Sequence, residues 1–341
     1  MTRLRYSADE LLRCHDYARP QLEGGHRLHG GFDAAGSYIP PRTLLRQPAL
    51  DAWTEQLRAR GGDLLAADSS LLAGVRYPSD AQQKLLIREG LGQTFWNSLT
   101  IIGVIEARGR VLADMVFPDF RDLVVQDVSE LAIGHLNQGL LRAHGLDEGG
   151  EPEAGVGGHD VMWFALRDLA FGKTDFPMPA VPDNIGRPDA NVPVFPRLPI
   201  QYERLVHFLG NLLMIEFRAE RGFSSTEKLL RDPELFSTRR AQAEHAAEIV
   251  NRIRIDEAVH IHSLRLYLGE LRKLDFKTVD GGSISGRDVV DTFWEGIVKW
   301  ATVEQPPLAA AQQKRLLLER IAAHPENARI TREFLALEEL F

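Results

Sequence analysis

Four stretches of this chain repeat their apolar residues at steps of three and four, and each carries a glutamate inside its apolar stripe. Ser79-Asp80 can cap the first, which runs through Leu85, Leu86, Leu91, Phe95, Leu99, Ile102 and Glu106 toward Arg108-Gly109. The second starts near Pro118-Asp119 and carries Leu123, Val124, Glu130, Leu131, Ile133, Leu136, Leu140 and Leu141 as far as His144-Gly145, whose glycine suits a helix end. The third, about 201–222, holds Leu205, Phe208, Leu209, Leu212, Leu213 and Glu216. The fourth, about 238–273, holds Ile249, Ile253, Glu257, His260, Ile261, Leu264 and Leu268. There is little sign of strands, so the pattern predicts an all-α protein. Helices of this kind bury their stripes against one another. A glutamate in the stripe is buried with it, and an unpaired buried carboxylate costs several kcal/mol.

The bulk properties bound the rest. With 341 residues, 44% of them hydrophobic, the chain can build a large core. A net charge of −8 removes the broad basic footprint of a nucleic-acid binder. The single cysteine, Cys14, excludes an intrachain disulfide and has no nucleophile motif around it. Apolar runs such as Leu212–Ile215 fall far short of the ~20 residues that span a bilayer. The first ten residues lack the apolar segment of a secretory signal, so the expectation is a cytoplasmic protein without membrane partners. Composition shifts divide the chain into an N-terminal helical and loop extension (1–78), a helical bundle (79–275) and a C-terminal helical extension (276–341). Within the bundle, residues 146–200 are rich in Gly and Pro around one short apolar helix at about 159–171. A connection so long marks a crossover, a lid or a binding loop.

Chemistry points to the bundle. Glu257 and His260, three residues apart, project from one face of the fourth helix among Val250, Ile253, Ile261, Leu264 and Leu268. In an antiparallel hairpin, residues equidistant from the turn lie side by side. Glu106 and Glu130 flank Pro118-Asp119 evenly, and Glu216 and Glu257 nearly evenly flank Asp232-Pro233. Interior glutamates from four helices together with one Glu-x-x-His pair are the means by which helix bundles hold two metal ions. Carboxylate and imidazole donors without thiolates suit iron or manganese. Plainer readings stand beside this one: Glu106 paired with Arg108 or Arg110, Glu130 on a solvated stripe, Glu220 in place of Glu216, and Glu257–His260 in an ion pair with Arg254 or another arginine. His26 and His29 fall in a Gly-rich stretch read as a solvated loop. His159-Asp160 reads as a capping pair, and His262 points well away from His260.

The two hairpins, the long crossover and Glu257-x-x-His260 resemble the ferritin-like superfamily of di-iron carboxylate proteins over about residues 80–273. The resemblance implies a four-helix bundle with added terminal helices. It also implies metal ligands at Glu106, Glu130, Glu216, Glu257 and His260. The family's second helix also reads Glu-x-x-His, but Ile133 stands at that place here. His135, five residues after Glu130, joins the set only if a π-bulge turns it toward the site. The activity implied is that of a non-haem oxidoreductase, an oxidase or oxygenase, using two iron ions (or manganese, or one of each) and O2 on a small organic substrate. Whether it forms a homodimer is left open. The rival is a metal-free helical binding or scaffold protein whose interior glutamates pair with arginines; a metal-free helical acid–base enzyme is a third reading.

Overall fold

The computed structural model describes residues 3–74, 76–188 and 193–338; residues 189–192 of the expected crossover and 339–341 of the C-terminal extension lie outside it. The described chain is mostly helical. None of its helices is long and apolar enough to cross a membrane. The main helices are α1 (Arg46–Ala59), α2 (Asp80–Arg88), α3 (Gln93–Gly109), α4 (Leu141–Gly149), α5 (His159–Phe171), α6 (Ile200–Arg231) and α7 (Arg240–Leu271). They continue with α8 (Gly286–Lys299), α9 (Gln305–Ala322) and α10 (Asn327–Ala336).

The third and fourth predicted helices are present and longer than the pattern suggested. They are α6 and α7, which pack against each other along an antiparallel hairpin. The first is split. Ser79 caps α2 in a reciprocal box with Gln82, but Gly90 at φ +77° ends that helix and the chain restarts as α3.

The second predicted helix does not form as drawn. Only one turn (Phe120–Leu123) and the short α4 are α-helical, with tight and wide turns over Ala132–Leu140 between them. Three local features override the helical period. Asp127 caps the backbone N–H of Ser129 at 2.9 Å, making a turn. Gly134 packs directly on the Val128 carbonyl, where no side chain fits. Gly139 takes φ +113°, outside any right-handed helix. The freed N–H groups of Ala132 and Ile133 donate instead to the buried carboxylate of Glu270 on α7, at 3.0 and 2.8 Å.

A small sheet, unexpected from the sequence, lies in the N-terminal extension. Strands β1 (Arg19–Glu23) and β2 (His26–Phe32) form a hairpin through Gly24-Gly25, both at positive φ. β3 (Tyr38–Ile39) pairs antiparallel with β2, and β4 (Val156–Gly157), from just after α4, pairs parallel with it. The sheet thus joins the N-terminal extension to the α4–α5 connection. The main core runs from Trp53 of α1 through Leu205, Leu209, Leu213 and Phe217 of α6 to Val290 and Ile297 of α8. A second core unites α3, α5, α6 and α7 around Phe95, Trp163, Phe223 and Ile253. A hairpin, β5 (Asp275–Lys277) and β6 (Ser283–Ser285), leads into the C-terminal helices, where Leu317, Ile321, Ile330 and Phe334 pack on Leu85 and Leu86 of α2.

Candidate metal centre

Charged side chains meet between the two cores. α3 delivers Glu106 near its C-terminal end, α6 delivers Glu216 from its middle, and α7 delivers Glu257 and His260. α4 contributes His144 and Glu148, four residues apart and therefore on one face. His159, the first residue of α5, completes the set. All seven are buried, His159 completely.

Their donor atoms fall into two groups, each within 4.8 Å: His144, Glu148, Glu216 and His260 in one, Glu106, Glu148, His159 and Glu257 in the other. Glu148 belongs to both. Its Oε1 lies 3.4 Å from His144 Nε2 and 3.2 Å from His260 Nδ1, while Oε2 faces His159 Nδ1 at 3.7 Å. Glu257 is divided the same way, with Oε2 2.8 Å from His260 Nδ1 and Oε1 3.2 Å from His159 Nδ1. Glu148 thus presents one oxygen to each group, and Glu257, a member of the second, also reaches His260 of the first. Glu216 Oε1 stands 3.0 Å from His144 Nε2 and serves the first group alone, and Glu106 Oε2 lies 3.9 Å from His159 Nδ1 in the second.

These separations suit metal ions. Donors about 2.1 Å from an octahedral ion stand roughly 3 Å apart along its edges, close to several of the distances here. His159 Nδ1 is buried and faces carboxylate oxygens without a well-formed hydrogen bond, so once deprotonated its lone pair is free to meet a cation among them. The donors are carboxylates and imidazoles only, which suits iron or manganese.

The far nitrogens of two histidines are held by aspartates. His260 Nε2 lies 3.2 Å from Asp147 Oδ2, and His159 Nε2 lies 3.3 Å from Asp256 Oδ2. Each aspartate directly precedes a glutamate of the centre, Asp147 before Glu148 and Asp256 before Glu257, and supports a histidine on another helix. Asp147 accepts from Arg42 and Arg46, both at 2.7 Å. Asp256 accepts from the Tyr38 hydroxyl at 2.9 Å and is faced by buried His29 at 3.3 Å. Both aspartates therefore rest on the N-terminal extension.

So many acids in one buried space shift one another. Burial, with the charge of Glu148, holds the Glu106 carboxyl well above the usual carboxylate range. Burial and the charge of Glu257 push Glu216 up to about 8. Burial and Glu148 also oppose ionisation of Glu257, but His260 and His159 draw it down to about 2. Burial disfavours the imidazolium forms of His159 and His260. The charge of Glu257, together with hydrogen bonds to Asp256 and Glu148 at His159 and to Asp147 and Glu148 at His260, outweighs it and raises both well above the ordinary histidine range. Protons here perform the neutralising role that cations can take over.

Four of the six residues expected from the sequence, Glu106, Glu216, Glu257 and His260, come together. Glu130 and His135 do not. Glu130 is half exposed and 3.5 Å from Arg5. His135 packs against Trp53 with its Nδ1 2.7 Å from the Leu131 carbonyl oxygen. The break in the second predicted helix accounts for both, because it uncouples positions 130–135 from the bundle's register. In their place stand Glu148, His144 and His159. A signal for Glu148 existed: Glu106 to Asp147-Glu148 repeats the separation of Glu216 to Asp256-Glu257 almost residue for residue. The arginine alternatives are also resolved. Arg254 pairs with Glu220 at 2.8 Å and Glu227 at 2.6 Å, Arg108 donates to the Pro182 carbonyl, and Arg110 pairs with Asp114. His29 is not in a solvated loop but buried in β2, and His262 faces Thr54 Oγ1 at 2.9 Å, away from the centre.

A cavity of about 430 Å³ reaches the centre, with Glu106, His144, Glu148 and Glu216 in its wall. Ile105, Phe208, Leu212 and Ile215 supply apolar surface. Part of the 146–200 connection closes one side: Arg187 exchanges two backbone hydrogen bonds with the Asn211 side chain, and Arg218 donates to the Ile185 carbonyl at 3.0 Å. Comparison with known proteins found no matching family model, no matching curated protein and no matching solved structure.

Proposed function

We propose that this chain is a two-metal carboxylate protein of the ferritin-like kind, a non-haem di-iron (or manganese-containing) oxidoreductase that uses O2 on a small organic substrate. The observation that carries the reading is the division of the two Glu148 oxygens between two buried donor groups beside a cavity, with Glu257 spanning a histidine of each. Two redox-active ions held there would supply the electrons for O2 reduction and the oxidising power for the substrate.

The chain's own residues perform the rest. Glu148 and Glu257 fix the spacing of the two positions. Asp147 and Asp256 orient His260 and His159 and set which ring nitrogen faces inward. Glu106 and Glu216 each serve one position and line the cavity, so they can change their mode of contact without disturbing the bridges. Ile105, Phe208, Leu212 and Ile215 give the cavity an apolar wall against which a small organic substrate can pack. This arrangement departs from the family pattern at the second helix, which is short and supplies no Glu-x-x-His; His159, beyond a turn, takes that histidine's place. A cytoplasmic location and the absence of nucleic-acid and membrane partners belong to the same proposal.

Two measurements test it. Protein expressed with iron and never exposed to chelator should carry close to two metal ions per chain, and metal-free protein would overturn the reading. Anaerobically loaded ferrous protein, mixed with oxygenated buffer, should consume O2 with a transient change in absorbance whose lifetime depends on small organic molecules. Ferrous protein inert for minutes would leave a metal protein but remove the oxidase assignment.

A further inference from the structure

Resting on the two-metal reading, we infer that the two positions are unequal and fill in order, the His144–His260 position first and the His159 position second. The inequality is built into the donors. The first position is faced by two imidazoles, the single-position carboxylate Glu216 and one oxygen of Glu148, with Glu257 Oε2 beside its His260. The second has one imidazole, His159, the single-position carboxylate Glu106 and one oxygen each from Glu148 and Glu257. The first therefore has one more neutral donor and one carboxylate fewer, so its ligands repel one another less when a cation is absent.

The outer supports reinforce the difference. Asp147, behind His260, is gripped by two buried guanidiniums, Arg42 and Arg46. Arg42 also pairs with Glu151. Two guanidiniums face two carboxylates in this brace, so it is balanced in charge, although Arg46 Nε has no partner. Asp256, behind His159, has no cation of fixed charge among its described contacts. Its Oδ2 faces Tyr38, His29 and His159 at once, while its Oδ1 and both His29 nitrogens lack hydrogen-bond partners. Groups that share one oxygen and leave the other unused are under-determined, so His159 is less firmly held than His260. Ring orientation follows: His144 and His260 stack at 3.9 Å and 11°, each limiting the rotation of the other, whereas His159 meets His29 edge-on at 5.0 Å. One short segment delivers Tyr38, Arg42 and Arg46, so the N-terminal extension sets both supports and the difference between them.

The experiment is an anaerobic titration of metal-free protein with Mn(II), followed by equilibrium dialysis and electron paramagnetic resonance. The expected result is two steps separated by tenfold or more in affinity. At one equivalent the spectrum should show isolated Mn(II), with spin-coupled pairs appearing only as the second equivalent binds. His159→Ala should abolish the weaker step and leave one isolated ion per chain. His144→Ala should weaken the first step at least tenfold. Tyr38→Phe, which keeps the ring and removes the hydroxyl from Asp256, should weaken only the second step, by an amount in the ~10–100-fold range typical of outer-shell partners. Coupled pairs at one equivalent, or two steps of equal affinity, in the wild-type protein would overturn the inference while leaving the two-metal reading intact. No Mn(II) or Fe(II) binding at all would instead remove the two-metal reading on which it rests.

Discussion

Removing the metal and raising the pH from about 5.5 to about 8.5 is expected to destabilise the folded chain, and adding metal should reverse the trend. Glu216 sets the scale. Its carboxyl titrates at about 8 in the folded protein against an ordinary 4.5, because it is buried beside Glu257. At about 1.4 kcal/mol per pH unit, ionising it in place costs on the order of 5 kcal/mol. Between those two values the folded state keeps a proton that the unfolded chain has lost, so stability falls as pH rises through the window. Glu106, also held high, acts in the same direction. So do His159 and His260, whose raised values give stability below 6.5 that is lost as pH climbs through their folded values. Asp147, Glu148 and Glu257 are held low and contribute above their ordinary range; that contribution is lost only on acidification, below the window in question. Allowing for relaxation of the site, a net loss of a few kcal/mol corresponds to a drop in Tm of roughly 3–6 °C for a chain of this size. With metal bound, the carboxylates are ionised and the imidazoles neutral, so loading should release protons and grow tighter as pH rises. Differential scanning calorimetry of metal-free and loaded protein at matched ionic strength, with an indicator dye in weak buffer to count released protons, measures both effects. A metal-free Tm that stays level or rises over this range, or metal uptake without proton release, would refute the reasoning.

Glu257→Ala and His260→Ala should each cost one or both metal ions by elemental analysis, because each removes a donor that faces the centre. His262→Ala should leave metal content near wild type, since that ring faces Thr54. Glu130→Gln should change neither metal content nor Tm measurably, whereas His135→Ala should keep the metal and lose about 2 kcal/mol of stability in a denaturant melt through the space left beside Trp53. Gly109→Ala should lower metal occupancy in the same elemental assay, because its new methyl would stand 2.8 Å from Glu148 Cγ and displace a bridging carboxylate. Arg46→Met leaves Asp147 with one buried cation fewer and should destabilise the protein by about 3 kcal/mol in a denaturant melt.

Glu106, Glu216, Glu257 and His260 were legible in the sequence because each interrupts an apolar stripe on a helix that runs unbroken past it. There the period of the helix fixes which side chains share a face, and the cost of burying a charge marks the exception. The same period misled where the chain does not stay helical. Residues 118–140 carry apolar side chains at helical steps, yet the turn at Asp127, the contact of Gly134 with Val128, the left-handed Gly139 and the cap from Glu270 break the run. Glu130 and His135 therefore lost their predicted place. Strands β1 to β3 were hidden for another reason: they are short, β1 carries a proline, β2 two glycines and β3 is two residues long, and they become strands only by pairing with each other, with β4 joining from beyond α4. Pattern alone determined that helices would gather carboxylates and an imidazole in a buried space. Tertiary structure decided that Glu148, His144 and His159 join the set, and that Arg42, Arg46 and Tyr38 brace it from the far end of the chain. Those choices depend on contacts such as His260–Glu148, Arg42–Asp147 and Tyr38–Asp256, between residues a hundred or more positions apart, which no local period records.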